Sequence, residues 1–225
     1  HPRMLDALSV AIDGPAGAGK STVSKLLAAK TGYALLDTGA MYRAFSWAYM
    51  TDREANPHIG LEESIVSHSI NVEYVNGTTR VCCDGRDISL DIRSAEVTAL
   101  VSAVSANEFV RGRAVEIQRA LVTEQIAAHR GVILEGRDIG TTVLPEASIK
   151  FYLVASDEIR ARRRAQEVGG DEAQMQQLIA ARDLADMNRD VSPLRKAADA
   201  IEIDATSLSV DQVVELMYQK ICDVI

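Results

Sequence analysis

Eight residues near the start of the chain form a glycine-rich loop of a kind that binds phosphate. The pattern G-x-x-x-x-G-K-S is matched in full by Gly14-Pro15-Ala16-Gly17-Ala18-Gly19-Lys20-Ser21. The glycines let the backbone curl so that several N–H groups point at phosphate oxygens. Lys20 can then reach the β- and γ-phosphates of a nucleoside triphosphate, and the Ser21 hydroxyl can ligate Mg²⁺. We expect the triphosphate to be bound by Gly14, Pro15, Ala16, Gly17, Ala18, Gly19, Lys20, Ser21 and Thr22.

The elements on either side of this loop are the ones that the motif requires. The apolar run at residues 8–12 predicts a buried strand, and a helical pattern continues from the loop to Lys30, where Gly32 closes it. The N-terminus of that helix adds positive potential at the phosphates. A chance glycine-rich turn rarely has both neighbours, so the sequence predicts a P-loop. The motif alone does not name the reaction.

Predicted strands alternate with predicted helices along the rest of the chain. Further strands are predicted at 33–36, 131–135, 148–154 and 200–203, and helices at 39–50, 95–105, 109–129, 157–168 and 171–189. Ser209 to Gln212 is a capping box that opens a final helix. This alternation is typical of an α/β fold with a parallel sheet flanked by helices. We expect a single domain over residues 5–225.

One segment, at residues 70–89, has a different pattern. Apolar and polar residues alternate at 70–75, Asn76-Gly77 is a strong hairpin signal, and a second strand-like run returns at 80–83. This segment predicts a small antiparallel β insert in the α/β chain.

Composition narrows the classes of partner. The net charge of −8 argues against general binding to nucleic acid. No apolar run approaches the roughly 20 residues of a membrane helix. The adjacent Cys82 and Cys83 should point to opposite faces of a strand, which suits neither a disulfide nor a metal site, and free thiols are typical of a reducing compartment. We therefore expect a cytoplasmic protein with no membrane or nucleic-acid partner.

P-loop proteins include kinases, GTPase switches and ATP-driven motors. The guanine-reading pattern N-K-x-D is absent, and 225 residues are few for a motor. Arginine supplies 18 of the 24 basic residues, and its planar fork suits bidentate contact with phosphate. A codon bias toward arginine would give the same count. The arginines favour a small-molecule kinase, with a non-catalytic ATP-binding switch as the rival reading.

Four motifs, in order along the chain, resemble those of the bacterial cytidylate kinases, a family of P-loop nucleoside monophosphate kinases. They are the P-loop, Asp37-Thr38-Gly39-Ala40-Met41-Tyr42-Arg43, Glu135-Gly136-Arg137-Asp138-Ile139-Gly140-Thr141, and Arg182-Asp183-Leu184-Ala185-Asp186-Met187-Asn188-Arg189. The resemblance implies transfer of the γ-phosphoryl group of ATP to CMP or dCMP in pyrimidine nucleotide metabolism, with Mg²⁺ and with a monomeric enzyme. It also implies a monophosphate-binding region at 39–112 that holds the β insert. A kinase for UMP or another acceptor stays the alternative.

The resemblance assigns acceptor roles residue by residue. The acceptor phosphate would be held by Thr38, Arg43, Arg137 and Arg189. Family members often have serine where this chain has Thr38, which keeps the hydroxyl. The base would be read by Ser102, Arg111 and Asp138, since a carboxylate can accept from the cytosine amino group and Arg111 can donate to the ring acceptors. The ribose would meet Arg182 and Asp186, and Tyr42 completes the CMP-binding set.

Each of these residues also has an ordinary structural interpretation. An arginine is most often part of a surface salt bridge. Ser102 could belong to a packed helix face, and Asp186 could pair with Arg182 four residues earlier or with Arg189 three residues later. These alternatives stay open at the level of sequence.

A basic cluster on the predicted helix at 157–168 suggests a mobile lid at 157–172. The cluster consists of Arg160, Arg162, Arg163 and Arg164. Arg163 and Arg164 match the family's lid positions, and they would neutralise charge on the transferring phosphoryl group together with Lys20, Arg137 and Arg189. A lid would also exclude water, which would otherwise accept the phosphoryl group.

Overall fold

The computed structural model describes residues 6–75, 78–188 and 193–225. Its helices and strands are, in chain order, β1 (Ser9–Asp13), α1 (Lys20–Thr31), β2 (Ala34–Asp37), α2 (Thr38–Ala55), α3 (Leu61–Val66), β3 (Ile70–Val75), β4 (Thr78–Cys83), β5 (Arg86–Asp87), α4 (Ala95–Ala106), α5 (Glu108–Ala127), β6 (Val132–Gly136), β7 (Ile149–Val154), α6 (Asp157–Val168), α7 (Glu172–Asn188), β8 (Ile201–Asp204) and α8 (Val210–Val224). A 3-10 turn lies at Asp91–Arg93 and a π-helix at Ile139–Val143.

The chain divides into two compact units. The first, which we name the P-loop unit, comprises His1–Leu35 and Val122–Ile225. The second, the α2 unit, is the intervening stretch Leu36–Leu121.

A five-stranded sheet forms the centre of the P-loop unit, with strand order β2-β6-β1-β7-β8. β1 pairs in parallel with β6 on one side and β7 on the other, and β7 pairs in parallel with β8. Val10, Ala11 and Ile12 of β1 have no exposed surface, which explains why this strand is a continuous apolar run rather than an alternating one. The predicted α/β fold with a parallel sheet is confirmed, and the phosphate loop follows its central strand.

Two helix ends in the P-loop unit follow directly from the residues that cap them. Gly32 closes α1 at a φ of 75°, with its N–H bonded to the carbonyl of Ala28 at 2.9 Å. At the start of α8, the Ser209 side chain accepts from the N–H of Gln212, and the Gln212 side chain accepts from the N–H of Ser209. The predicted capping box is therefore confirmed.

The α2 unit packs its core around one face of α2. Met41, Phe45 and Ile65 are fully buried there, together with Ile88 and Val110 from later segments. An antiparallel sheet of order β3-β4-β5 covers this core, with Ile70 opposite Cys83 and Val72 opposite Val81. The predicted antiparallel insert is confirmed, and it has three strands.

A histidine ties two parts of the α2 unit together. His68 Nδ1 lies 2.6 Å from a carboxylate oxygen of Asp84, and Nε2 lies 2.8 Å from Asp52 of α2. Asp52 also accepts from the Ser64 hydroxyl at 2.6 Å. The three cysteines are free thiols, with Cys83 buried against this group and Cys82 partly exposed, as the opposite-face prediction requires.

The structure extends the predicted secondary structure in three places. α2 continues five residues beyond residue 50, to Ala55, and α3 and the π-helix were not predicted. Within the described ranges, we found no helix with the length and apolar character needed to cross a membrane.

Candidate active site

The phosphate loop holds its lysine in a buried position. Lys20, the first residue of α1, is 6% exposed, and its Nζ donates to the carbonyl of Pro15 at 3.0 Å across the loop. Burial, followed by the positive charge of Arg137, lowers the pKa of Lys20 to about 8, while the carboxylates of Glu135 and Asp13 act in the opposite direction. The ammonium group is therefore desolvated among charges of both signs.

The first glycine of the loop is required by a close approach to β7. Gly14 has a φ of 152°, and a Cβ atom at this position would collide with the backbone carbonyl of Leu153. Any larger residue would push the loop away from the sheet. The close packing of Gly14 on β7 sets where the loop starts.

A carboxylate at the end of β1 organises the segment after β6. Asp13 is 4% exposed and accepts from the N–H of Ile139 at 2.9 Å and of Gly140 at 2.8 Å. Burial raises the pKa of Asp13 to about 6, although the two N–H donors oppose that shift. These bonds fix the start of the π-helix, and hence the backbone of Asp138, which precedes it.

Three of the predicted acceptor residues lie together in the P-loop unit. Arg137, at the end of β6, forms an ion pair with Asp186 of α7, and both side chains are largely buried. Arg182 Nε lies 4.0 Å from the same carboxylate, one turn earlier on α7. Arg137 and Arg182 both lower the pKa of Lys20 by their charge. Arg137, Arg182 and the Asp186 carboxylate that pairs with them thus lie near Lys20, as do Glu135 and Asp13.

The predicted lid helix α6 contacts the phosphate loop directly. Arg163 donates to the carbonyl of Ala18 at 3.3 Å and, through its other nitrogen, to those of Ala205 at 3.1 Å and Leu208 at 3.5 Å. Arg164 is half exposed and pairs with Glu167 at 3.0 Å. Arg163 therefore contacts the loop backbone, and Arg164 lies on the outer side of α6.

The predicted phosphate-binding residues of the α2 unit lie at the start of α2. Thr38 is the first residue of α2 and is 5% exposed, directly after Asp37, whose side chain accepts from the N–H of Ala40 at 3.2 Å. Arg43, in the second turn, donates to the carbonyl of Ile92 at 3.1 Å and to the Thr98 hydroxyl at 3.0 Å. The helix N-terminus and the guanidinium give this end of α2 positive potential.

The predicted base-reading arginine is packed on an aromatic ring. Arg111 of α5 is 3% exposed, donates to the carbonyl of Ser105 at 2.8 Å, and places its guanidinium 4.9 Å from the centre of the Tyr42 ring. Ser102 lies on an exposed part of α4. Arg111 and Tyr42 are thus brought together, while Ser102 is not buried with them.

A model of the cytidylate kinase family matches residues 10–223, almost the whole chain. The chain belongs to the cytidylate kinase family. A cytidylate kinase of Streptomyces avermitilis is 45% identical over 218 residues, which cover 95% of this chain and 92% of the relative. A cytidylate kinase of Lactobacillus johnsonii is 45% identical over 216 residues, covering 92% and 90%. The predicted family is confirmed.

The fold of this chain is shared by a solved structure. It is an uncharacterized protein from Eubacterium ventriosum, with a TM-score of 0.53 and 14% identity, covering 96% of this chain and 98% of that one. A likeness at this identity concerns the fold alone.

Three acidic residues near the phosphate loop were not predicted from the sequence. Asp13 closes β1, Asp183 contacts the loop from α7, and Glu135 lies opposite Ile12 on the neighbouring strand. An acidic residue at the end of an apolar strand, followed by glycine, was the available signal for Glu135. One predicted residue, Arg189, lies outside the described residues.

The residues around the loop fit a magnesium ion bound with ATP. The Ser21 hydroxyl is exposed at the start of α1, and the Glu135 carboxylate is near enough to Lys20 to raise its pKa. Hydroxyl and carboxylate oxygens are the ligands that Mg²⁺ takes in proteins, usually with several waters and substrate phosphates.

Proposed function

We propose that this chain catalyses the reaction of its family, transfer of the γ-phosphoryl group of ATP to CMP or dCMP, giving CDP or dCDP and ADP. The observation that supports this most is the convergence of Lys20, Arg137 and Arg182 at a complete phosphate loop. The Asp186, Glu135 and Asp13 carboxylates offset part of this positive charge, and the ammonium and guanidinium groups remain the groups suited to contact phosphate oxygens. The identity of the acceptor, CMP or dCMP, is inferred from membership in the cytidylate kinase family.

Catalysis by these residues consists of alignment and charge neutralisation. Two phosphate-bearing molecules repel each other, and fixed positive groups must offset that repulsion. We assign Lys20 to the β- and γ-phosphates and, on the resemblance to the family, Thr38, Arg43, Arg137 and Arg189 to the acceptor phosphate. Arg163 and Arg164, at the family's lid positions, would complete the positive environment of the transferring group once 157–172 close over ATP.

Magnesium is the proposed cofactor, held by Ser21 together with ATP phosphates and water. When bound, it neutralises charge on the phosphates and fixes their geometry. We assign Glu135 to the same site on its electrostatic effect on Lys20, and its carboxylate would accept hydrogen bonds from the waters of such an ion. The remaining contacts to ATP come from the loop amides.

A general base is not required for this reaction. The second ionisation of a phosphate monoester has a pKa near ~6, so the attacking oxygen is largely deprotonated at neutral pH. The burial of Arg137 and Asp138 serves instead to exclude water and orient the acceptor.

Cytosine selectivity is assigned to Asp138 and Arg111. Asp138 is 4% exposed, and its carboxylate accepts from the exocyclic amino group of cytosine, a group that uracil lacks. Arg111 donates to the ring nitrogen and carbonyl, with its plane held by Tyr42. Asp186 and Arg182 contact the ribose, and Ser102 is proposed to approach the base from α4.

The remaining assignments extend the same proposal. The chain works as a monomer in the cytoplasm, residues 39–112 form the monophosphate-binding region, and 157–172 close over ATP as a lid. These follow from the resemblance to the family and from the free thiols.

A coupled assay of ADP release tests the function. ATP consumption is measured with CMP, dCMP, UMP and AMP as acceptors, in the parent protein and in a Lys20→Met variant as the inactive control. We expect CMP and dCMP to stimulate strongly, UMP weakly and AMP very little. Equal use of UMP would favour a broader monophosphate kinase, and no stimulation by any acceptor would favour an ATP-binding switch.

A further inference from the structure

A buried ion pair between α6 and α7 is hydrogen-bonded to one residue of the phosphate loop. Arg160 and Asp183 pair with each other and are each less than 10% exposed. Arg160 donates to the carbonyl of Ala16 at 3.0 Å, and Asp183 accepts from the N–H of Ala16 at 3.1 Å. Both backbone polar groups of a single loop residue are thus bonded to one ion pair.

These two bonds orient the peptide planes on either side of Ala16. In a trans peptide, the carbonyl and the following N–H point in opposite directions, and the plane is rigid. The Pro15 carbonyl accepts from Lys20, so the Ala16 N–H points the other way, where Asp183 accepts from it. The Ala16 carbonyl points at Arg160, so the N–H of Gly17 points away from α6.

The arginine-to-carbonyl contact recurs two residues later. Arg163 donates to the Ala18 carbonyl at 3.3 Å, which turns the N–H of Gly19 away from α6. At Gly17 a Cβ atom would lie 3.0 Å from the carbonyl oxygen of Arg160 and 3.1 Å from Ile179 Cδ1. α6 and α7 therefore pack tightly on the outer side of the loop, and the amides of Gly17 and Gly19 are directed to its other side.

We propose that Arg160 and Asp183 are positioning residues, which hold the loop in the conformation that aims its amides at the phosphates of ATP. They act through Ala16 and do not touch the nucleotide. Without them the loop amides could rotate, and ATP binding would have to restore their orientation. The proposal rests on the proposed ATP site of this loop.

The test separates ATP binding from acceptor binding and from stability. Asp183→Ala removes the acceptor for the Ala16 N–H, while Asp183→Asn keeps an oxygen in the same place. We expect the ATP dissociation constant and KM to rise about tenfold in Asp183→Ala and less in Asp183→Asn, with the CMP KM within about twofold of the parent. Arg160→Lys should resemble Asp183→Ala. A lysine ammonium group cannot reproduce the planar guanidinium that bonds both the Ala16 carbonyl and the Asp183 carboxylate.

A matched control changes an exposed side chain of α7 outside the proposed lid. Gln177 is exposed, and Gln177→Ala alters the surface of α7 six residues before Asp183. We expect its ATP affinity to equal that of the parent. All measurements are made well below each variant's melting temperature, with calorimetric ATP binding in the absence of CMP.

The outcomes distinguish this proposal from a purely structural role. Lower thermal stability with unchanged ATP affinity in a folded Asp183→Ala or Arg160→Lys variant would overturn it. So would equal losses for ATP and CMP. Should Asp183→Ala fail to fold, Arg160→Lys carries the same test. A parent protein without kinase activity would instead count against the proposed function.

Discussion

The carboxylate of Asp13 accepts a hydrogen bond from the backbone amide of Gly140, at 2.8 Å. Asp13 directly precedes the phosphate loop, and Gly140 follows the proposed cytosine-reading residue Asp138 by two positions. One side chain therefore connects β1 and the start of the phosphate loop to the segment that holds the proposed base-reading carboxylate.

The raised pKa of Asp13 predicts a specific dependence of stability on pH. Because the pKa in the fold is about 6 and that of an unfolded aspartate is near 3.9, the folded state binds the proton more tightly. Stability therefore falls as the pH rises from about 4 to about 6 and is constant above that, by an amount on the order of 3 kcal/mol.

Asp13→Asn checks this window, since the amide does not titrate. We expect denaturant unfolding at pH 4.5 to 7.5 to show a smaller decline for the variant, whatever its absolute stability. An unchanged pH profile would mean that Asp13 ionises normally in the fold.

The lowered pKa of Lys20 predicts that ATP binding weakens above pH 8. In the free protein Lys20 loses its proton as the pH rises through about 8, and a neutral amine attracts phosphate less. ATP binding should consequently be accompanied by proton uptake near pH 8, which calorimetry in buffers of different ionisation enthalpy measures. Lys20→Met should reduce kcat by roughly 10²–10³-fold.

Two variants serve as references for Lys20. Lys20→Arg keeps its charge throughout this range, so its ATP affinity should lack the decline above pH 8. Lys25→Met removes an exposed lysine of the same helix and should behave as the parent. A decline of equal size in Lys20→Arg would assign it to another group.

Selectivity for the base and selectivity for the sugar should depend on different residues, Asp138 and Asp186. Asp138→Asn should reduce the preference for CMP over UMP by about 1–3 kcal/mol, roughly 5- to 150-fold, because an amide can also donate to the uracil carbonyl. The ratio of CMP to dCMP should stay constant. The measurement is kcat/KM for the three acceptors.

Asp186→Ala should give the opposite result. It removes the proposed ribose contact and the ion pair with Arg137, so the ratio of CMP to dCMP should change while the ratio of CMP to UMP holds. Overall kcat should fall too, since Arg137 loses its orienting partner. A shift of both ratios in either variant would contradict the separate roles.

His68 predicts a second pH window, located in the α2 unit. Burial lowers its pKa, but the hydrogen bonds to Asp84 and Asp52 outweigh that effect and raise it. A raised histidine pKa stabilises the fold fully below about pH 6.5, and the contribution is lost as the pH rises through the folded-state pKa. Cys83, whose pKa burial raises to about 11, stays neutral in this range.

Unfolding measured between pH 5.5 and 8.5 tests the His68 window. His68→Gln should remove the extra stability at low pH and leave the high-pH value nearly unchanged. His58→Gln, at an exposed position, is the matched control. A His68 variant that loses the same stability at every pH would show a packing role only.

Much of the fold could be predicted because its signals are local. The phosphate loop, the capping box at Ser209 and the hairpin of β3 and β4 each depend on residues close together in sequence. α3 was missed because it has one and a half turns, and the π-helix because the bonds that fix it come from Asp13, 126 residues away.

The candidate site was predictable to the extent that its residues lie in recognisable motifs. Arg137, Asp138, Arg182 and Asp186 do, and the structure places them in the P-loop unit. Asp183 stands in the same motif, but its contact with Ala16 depends on how α7 packs, which no local pattern encodes. Arg163 was predicted on family resemblance, and its bonds to three backbone carbonyls were not.

Those three carbonyls, of Ala18, Ala205 and Leu208, belong to the nucleotide loop and to the link between β8 and α8. The Arg163 guanidinium therefore connects the backbone of the phosphate loop to a segment almost 190 residues later in the chain. We expect insertions in that link to shift Arg163 and, through it, the carbonyl of Ala18, so that the length of the connection before the last helix affects the shape of the phosphate loop.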